Sequence, residues 1–365
     1  MTDLLDTLAA LPRVRLAHLP TPVEPLDRLR VHLNAAPRLW IKRDDCTGLG
    51  LGGNKVRKLE FVMAEALAQG ADAVVSGGVV QSNHIRQTAA AAAKLGLECH
   101  LAVMTGRVPK VDPDYNDTGN ILLDRLFGAH CVMLDWKADR NAVIASLIDG
   151  LKARGRKPYM VPYGASSALG AMGFVLAAVE LLDQARALET RFTHVVHASG
   201  SAGTQAGLAV GLAALAPEVA LLGLDIDAEP ERVARDVTRV AHEAAAMLGV
   251  SLHDRSITVV PGYAGEGYGL PTDGMLEAVT LGARLEGLVL DPVYAGKGFA
   301  GFIDLVRQGR FAKDDNVVFW HTGGAPALFA YRSLFGESLH GEPVEPRRRR
   351  HNGPCETLHG STGSP

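Results

Sequence analysis

Residues 47–61 read TGLGLGGNKVRKLEF, and the molecule this stretch serves decides how the rest of the chain is read. Gly48, Gly50 and Gly53 spell G-x-G-x-x-G, a dinucleotide-loop pattern, while Gly48 to Gly53 followed by Asn54-Lys55 falls one insertion short of G-x-x-x-x-G-K-[ST]. A dinucleotide loop needs an acidic residue about 20 positions on, at the end of the next strand, to hold the ribose. That strand ends VVSGGVVQ, and Asp72 precedes it. A triphosphate loop needs Ser or Thr after the lysine to hold magnesium, and this chain has Val56. Both nucleotide readings weaken, and a third is left in which Lys55 itself does chemistry. A cation in the first turn of a helix opposes the positive end of the helix dipole, a cost that a merely structural residue would avoid. An amine in a partly apolar, glycine-walled site can lose its proton and form a Schiff base with an aldehyde.

Outward from this stretch, from Arg38 on, short β-branched runs alternate with segments of helical period. RLWIKRD is followed by a helix over 54–69, then DAVVSGG, a helix over 82–95, CHLAVM, a helix over 120–127, HCVMLD, and finally NVVFWHT. Strand, helix, strand, helix implies an α/β chain with a parallel sheet covered on both faces. In the first helix Leu59, Val62, Met63, Ala66 and Leu67 form one buried stripe, and Gly70 ends it.

With 365 residues, 47% hydrophobic and 21% charged, the chain has ample apolar surface for a folded core of about two domains. Its net charge of −3 supplies no field that would draw it to nucleic acid or to an anionic membrane. Cys46, Cys99, Cys131 and Cys355 lie far apart with no C-x-x-C, so neither a zinc site nor a disulfide framework is expected. The N-terminus lacks the basic region of a signal peptide, and the longest apolar run, about 206–216, is too short to span a bilayer. The expected address is the cytoplasm. From Gly341 the periodicity is lost and Pro, Gly and Arg accumulate, so 341–365 is expected to be a disordered tail, with Arg347 to Arg350 a solvated charge run.

Two further turns carry glycines. HASGSAGTQAG (197–207) follows an apolar strand and opens an apolar helix near Thr204. Backbone N–H groups of Gly200, Ser201, Ala202, Gly203 and Thr204 at a helix N-terminus would make a cradle for one phosphate. WHTGGAPAL ends the last strand and offers Thr322 as a hydroxyl partner, with Gly323-Gly324 allowing close approach of a ligand. A lysine, a phosphate cradle and a hydroxyl describe a site for pyridoxal 5'-phosphate, whose aldehyde, phosphate and ring nitrogen match Lys55, the Gly200 loop and Thr322.

The segments KRDDCTGLGLGGNKVRKLEF, GGVVQSNHIRQTAAAAAKLGL, SGSAGTQAGLAVG, GYGLPTDGMLEAV, LDPVYAGKGFAGFIDL and HTGGAPALF resemble the D-cysteine desulfhydrase and 1-aminocyclopropane-1-carboxylate (ACC) deaminase family of pyridoxal-phosphate enzymes. The resemblance covers about 16–334, and the pairing of GGNK-x-RKLE with QSNH is specific. It implies the tryptophan-synthase-β-like fold: two open, twisted, mostly parallel α/β domains with the cofactor in the cleft between them. Residues 1–64 and 164–340 would form the large cofactor-binding domain and 65–163 the small one. It also implies a homodimer, Lys55 as the Schiff-base lysine, Asn83 on the cofactor's phenolic oxygen, and Gln81 and Ser82 beside the substrate carboxylate. Tyr294 and Tyr268 match the family's two active-site tyrosines. Read alone, Ser82 is a helix N-cap and Tyr294 a core aromatic. ACC deaminases carry Glu and Leu where this chain has Ala295 and Thr322, so the resemblance favours the desulfhydrase branch.

The implied reaction starts when the amino acid displaces Lys55, whose freed amine removes the Cα proton while the cofactor ring spreads the charge. The β-sulfur then leaves, and D-cysteine would give pyruvate, sulfide and ammonia. Ser82, Tyr294 and Tyr268 are the candidate proton relays. L-cysteate sulfo-lyase, which releases sulfite, is the alternative within the family, followed by ACC deaminase. A nicotinamide-dependent oxidoreductase is the alternative from another class. Asp44 and Asp45, adjacent on an extended segment, would face apart and form no dyad, and His194 and His197 likewise form no metal pair, so no metal site is expected. His84 would sit just after the active-site turn, near substrate or held as a structural histidine.

Overall fold

The computed structural model describes residues 2–108, 112–253 and 256–336; the expected tail at 341–365 lies outside them. In chain order the elements are α1 (Thr2–Ala10), β1 (Val23–Pro25), α2 (Asp27–His32), β2 (Arg38–Arg43), α3 (Lys55–Ala68), β3 (Ala73–Val79), α4 (Asn83–Leu95) and β4 (Glu98–Thr105). Then come α5 (Asn120–Leu126), β5 (His130–Asp135), α6 (Arg140–Ala153), β6 (Pro158–Met160), α7 (Ala168–Ala187), β7 (His194–Ser199), α8 (Gly203–Leu215) and β8 (Ala220–Asp225). The last are α9 (Pro230–Leu248), β9 (Thr258–Val260), α10 (Asp273–Glu286), α11 (Ala295–Arg307) and β10 (Asn316–His321).

The β-branched runs build two sheets. The larger has the order β1-β2-β10-β7-β8-β9 and the smaller β5-β4-β3-β6. Every pairing is parallel except that of β1 with β2. Strands of the small sheet all fall within 73–160, and the large sheet takes the segments on either side. The boundary expected at 64/65 falls inside α3, whose residues run unbroken from Lys55 to Ala68. That helix packs on α7 and on α4, so it serves both lobes and brings its first residue to the junction between them.

Helix α7 is 20 residues long and apolar enough to cross a bilayer by length and composition, which the apolar-run reading of the sequence overlooked. It is a core helix here. Gly207 of α8 lies so close that a Cβ there would meet Ala171 O at 2.2 Å, and a Cβ on Gly173 would stand 2.3 Å from Arg57 O. On the face of α7 that meets Arg57 of α3, Glu180 joins a buried network. Arg57 Nη2 is 2.9 Å from both Asp44 Oδ1 and Glu180 Oε1, and Lys42 Nζ is 2.5 Å from Glu180 Oε1. Burial alone would raise Glu180, but hydrogen bonds and charge from Arg57, with help from Lys42, outweigh it and hold the carboxyl at about 2.

Candidate active site

The glycine tract supports a lysine, and its peptide groups are engaged inside the protein: Gly52 N donates to Leu49 O at 3.0 Å and Gly53 N to Asp44 O at 2.9 Å. Gly53 N donates to Thr47 Oγ1 at 2.7 Å, Thr47 Oγ1 donates to Gly53 O, and Arg86 donates to Gly52 O at 2.8 Å and to Gly50 O. Gly52 is needed for a steric reason: at φ 68° a Cβ would stand 1.9 Å from Asp45 O. Asp44 and Asp45 lie on a short 3-10 helix (Asp44–Thr47), not on the extended segment expected. They still part company, Asp44 to Arg57 and Asp45 to Arg43.

Lys55 is the first residue of α3 and lines a cleft over the C-terminal ends of the large-sheet strands. Its Nζ donates to Ser201 Oγ at 2.9 Å, and burial lowers the amine to about 8. An amine so poised is about half neutral near pH 8, where an ordinary lysine is almost wholly charged, and can then attack a carbonyl carbon. The Gly200 turn forms the cleft wall as expected, with Gly200, Ser201, Ala202 and Thr204 all lining it. Helix α8 starts at Gly203 and its first-turn N–H groups have no acceptor within the helix. Thr204 Oγ1 accepts from Asn54 Nδ2 at 2.9 Å.

Lys58, which the sequence reading passed over, sits one turn from Lys55 and is fully buried. Its Nζ donates to Ser166 Oγ at 3.1 Å, and a Cβ on Gly203 would lie 3.1 Å from it. Ser166 Oγ also accepts from Gly203 N at 3.1 Å and donates to Ser201 Oγ at 3.3 Å, so both lysines meet at the phosphate turn. Among the described residues neither lysine forms an ion pair. Burial, and then the neighbouring Lys55, push Lys58 well below its ordinary value. A half-buried amine and a fully buried one, beside the backbone donors that open α8, would suit a dianion such as a phosphate monoester.

The opposite wall comes from the small lobe and from the large lobe's later segments. Ser82 caps α4, accepting from Ile85 N, and also lines the cleft, so its two readings hold together. Asn83 and Thr322 line it as well. Tyr268 and Tyr294 share a hydrogen bond between their hydroxyls, and burial raises both well above the ordinary phenol range. Tyr294 is set by Asp291, which accepts from the N–H groups of Val293, Tyr294 and Ala295 at 2.8–3.0 Å. Gln81 corrects an expectation: its side chain does not line the cleft. Its Nε2 donates to Tyr115 O and Thr118 O at 2.6 and 3.0 Å, and its Oε1 accepts from Asn120 N at 2.9 Å.

His84 lines the cleft, yet its Nε2 lies 2.9 Å from Ser76 Oγ, and burial, then Lys55 and Lys58, keep it neutral. His197 is buried and lowered to about 4 by burial. Its Nδ1 lies 2.9 Å from Ala198 O, leaving Nε2 without a partner among the described residues. His194, on the other face of β7, stays partly exposed, with its Nδ1 2.9 Å from Thr193 Oγ1.

A lysine, an anion cradle and a hydroxyl converging on one cleft agree with what the comparisons find. The family model described as pyridoxal-phosphate dependent enzyme matches residues 14–323. The chain belongs to that family. Its cofactor is pyridoxal 5'-phosphate. The chain is 47% identical over 324 residues to the D-cysteine desulfhydrase of Yersinia enterocolitica, covering 89% of this chain and 97% of that one. It is 45% identical over 327 residues to the D-cysteine desulfhydrase of Salmonella typhi, covering 90% and 98%. A crystal structure of an ACC deaminase homologue superposes with a TM-score of 0.83 at 36% identity, covering 92% of this chain and 98% of that one. The tryptophan-synthase-β-like architecture follows, and the cleft residues would fit the group: Lys55 its aldehyde, the Gly200 turn, with Lys58 behind it on Ser166, its phosphate, and Asn83 and Thr322 its ring.

Proposed function

We propose that this enzyme eliminates the β-sulfur of D-cysteine, releasing sulfide, pyruvate and ammonia. The observation that carries the reading is the near full-length likeness to two D-cysteine desulfhydrases. The cleft supports it. Thr322 lines it and Ala295 is buried at the start of α11, so the Glu and Leu of ACC deaminases have no counterpart here. Arg107 stacks on Tyr268 at 4.3 Å and is held by Asp227 at 2.8 Å, so a sulfonate would have to displace a carboxylate to use it. A thiol makes no such demand.

The bound cofactor supplies an electron sink for the charge left at Cα. The chain's own residues do the rest. Lys55 Nζ, lowered to about 8, is the base that would take the Cα proton of the bound substrate. Ser82 Oγ, at the N-terminus of α4, lies where the helix's positive end favours the substrate carboxylate. The hydroxyl pair of Tyr268 and Tyr294 stays protonated across the physiological range and donates the proton that departs with the sulfur. Thr322, a hydroxyl rather than a carboxylate, would leave the cofactor's ring nitrogen largely unprotonated, which suits elimination over reactions that store the charge. The enzyme works in the cytoplasm as a homodimer, without membrane or nucleic-acid partners.

Parallel assays with D-cysteine, L-cysteate, L-cysteine and ACC test the reading. Sulfide and pyruvate from D-cysteine are expected. Sulfite from L-cysteate with no sulfide from D-cysteine would replace it with a sulfo-lyase, and α-ketobutyrate from ACC with an ACC deaminase. Light scattering at working concentration tests the dimer.

A further inference from the structure

We infer that Asn120 is a positioning residue that fixes which end of the Asn83 amide faces the cofactor, and that Gln81 holds Asn120 in place for this purpose. The inference rests on the reading of Asn83 as a ligand of the cofactor's phenolic oxygen.

The argument turns on hydrogen-bond polarity. An Asn side chain has one acceptor end and one donor end of nearly the same shape, so only its partners decide which way it points. Asn120, the first residue of α5, is fully buried. One of its terminal atoms lies 2.9 Å from Gln81 O. A backbone carbonyl can only accept, so that atom is Nδ2. The same Nδ2 lies 3.0 Å from the Asn83 side chain, which must therefore present its acceptor Oδ1 to it. The remaining end of Asn83, Nδ2, lies on the side of Gly324, where a Cβ would stand 2.7 Å from it and 2.5 Å from Asp291 Oδ1, and Asn83 itself lines the cleft. The cleft thus meets a donor, the polarity that a phenolate oxygen needs.

Gln81 is anchored by the same logic. Its Nε2 faces two backbone carbonyls, Tyr115 O and Thr118 O, and its Oε1 faces Asn120 N. None of these three contacts survives a flip of the amide. Gly119, between the anchored residues, has φ 66° and a Cβ there would stand 2.5 Å from Gln81 Oε1, so the turn closes on the glutamine and presents Asn120 at a single angle. The result is a directional chain, from backbone carbonyls through Gln81 and Asn120 to Asn83, that ends in a donor at the cofactor ring. It also explains why a fully buried glutamine precedes Ser82 and Asn83 without touching the cleft.

Asn120→Asp tests it. A carboxylate only accepts, so Asn83 turns its Nδ2 to residue 120 and shows its Oδ1 to the phenolic oxygen. The purified apoprotein is titrated with pyridoxal 5'-phosphate, and both affinity and spectrum are read. Expected are a loss of affinity of about tenfold or more and a shift of the band near about 410–430 nm towards about 330 nm, as the phenolic oxygen keeps its proton. Asn120→Ala removes the donor without adding charge, is expected to lie between wild type and Asn120→Asp, and carries the test should the aspartate variant not fold. Both substitutions are repeated in an Asn83→Ala background, where they are expected to move neither readout further.

If Asn83→Ala alters affinity and spectrum while both position-120 variants match wild type, the positioning role is overturned. If Asn83→Ala itself changes nothing, the reading of Asn83 fails instead. Effects of position 120 that persist undiminished without Asn83 also overturn the proposal, since they would report general damage to the turn.

Discussion

Replacing Lys58 by Met probes the phosphate cradle with little change in volume. In the folded protein Lys58 Nζ touches Ser166 Oγ at 3.1 Å and forms no ion pair among the described residues. A phosphate dianion in the Gly200 turn would be its first counter-charge. Unit charges about 4 Å apart at an effective dielectric near 20 attract by about 4 kcal/mol. Part of this goes to returning the proton that burial and Lys55 have disfavoured. The net value is then that of a charge-assisted hydrogen bond, about 1.5–3 kcal/mol, so cofactor affinity should fall about 10- to 150-fold. Spectroscopic titration of the apoprotein with pyridoxal 5'-phosphate measures this, with pyridoxal, which lacks the phosphate, as the internal control. The loss should appear with the phosphorylated ligand alone. Removing a buried amine without a counter-charge should leave the apoprotein at least as resistant to urea as wild type. An affinity for pyridoxal 5'-phosphate within twofold of wild type, or an equal loss for both ligands, would refute the assignment of Lys58 to the phosphate.

Glu180→Gln breaks the network around Arg57 and should cost about 3 kcal/mol at pH 7 in urea unfolding. Because the folded carboxyl titrates at about 2, below its ordinary value of 4.5, its contribution is full above about 4.5. It fades as pH falls towards 2, so the gap between variant and wild type should narrow over that window. Gly207→Ala forces a methyl against Ala171 O at 2.2 Å and Phe174 Cβ at 2.5 Å, and should destabilise by about 1–3 kcal/mol in the same assay while the cofactor band persists. Tyr294→Phe removes one hydroxyl of the Tyr268 pair and should lower kcat about 10²-fold or more with cofactor affinity unchanged; equal losses in both would make the tyrosine a cofactor ligand.

The strand and helix order was legible because each element carries its own period: α3 and α4 begin within one residue of where apolar spacing and the Ser82 cap place them. The cofactor was legible from three glycine turns, since turns at strand ends face the same edge of a parallel sheet. Lys58 was legible in principle. It falls three residues after Lys55, hence on the same helical face, but a glycine-rich phosphate turn needs no lysine and the residue was passed over. Gln81 was misplaced because sequence shows that a residue neighbours the site, not which way its amide points. Asn120 lies 37 residues from Asn83, and only the folded 115–120 turn brings the two together. The long apolar helix α7 went unremarked beside the 206–216 run, and its packing on α3 and α8 is what makes it core.

The central claim is a covalent bond between the cofactor aldehyde and one of two lysines a single helical turn apart on α3. Borohydride reduction of the cofactor-loaded enzyme, followed by proteolysis and tandem mass spectrometry, reads the position directly. The account predicts a reduced pyridoxyl group on Lys55 and none on Lys58; label on Lys58, on another residue, or on none would contradict it.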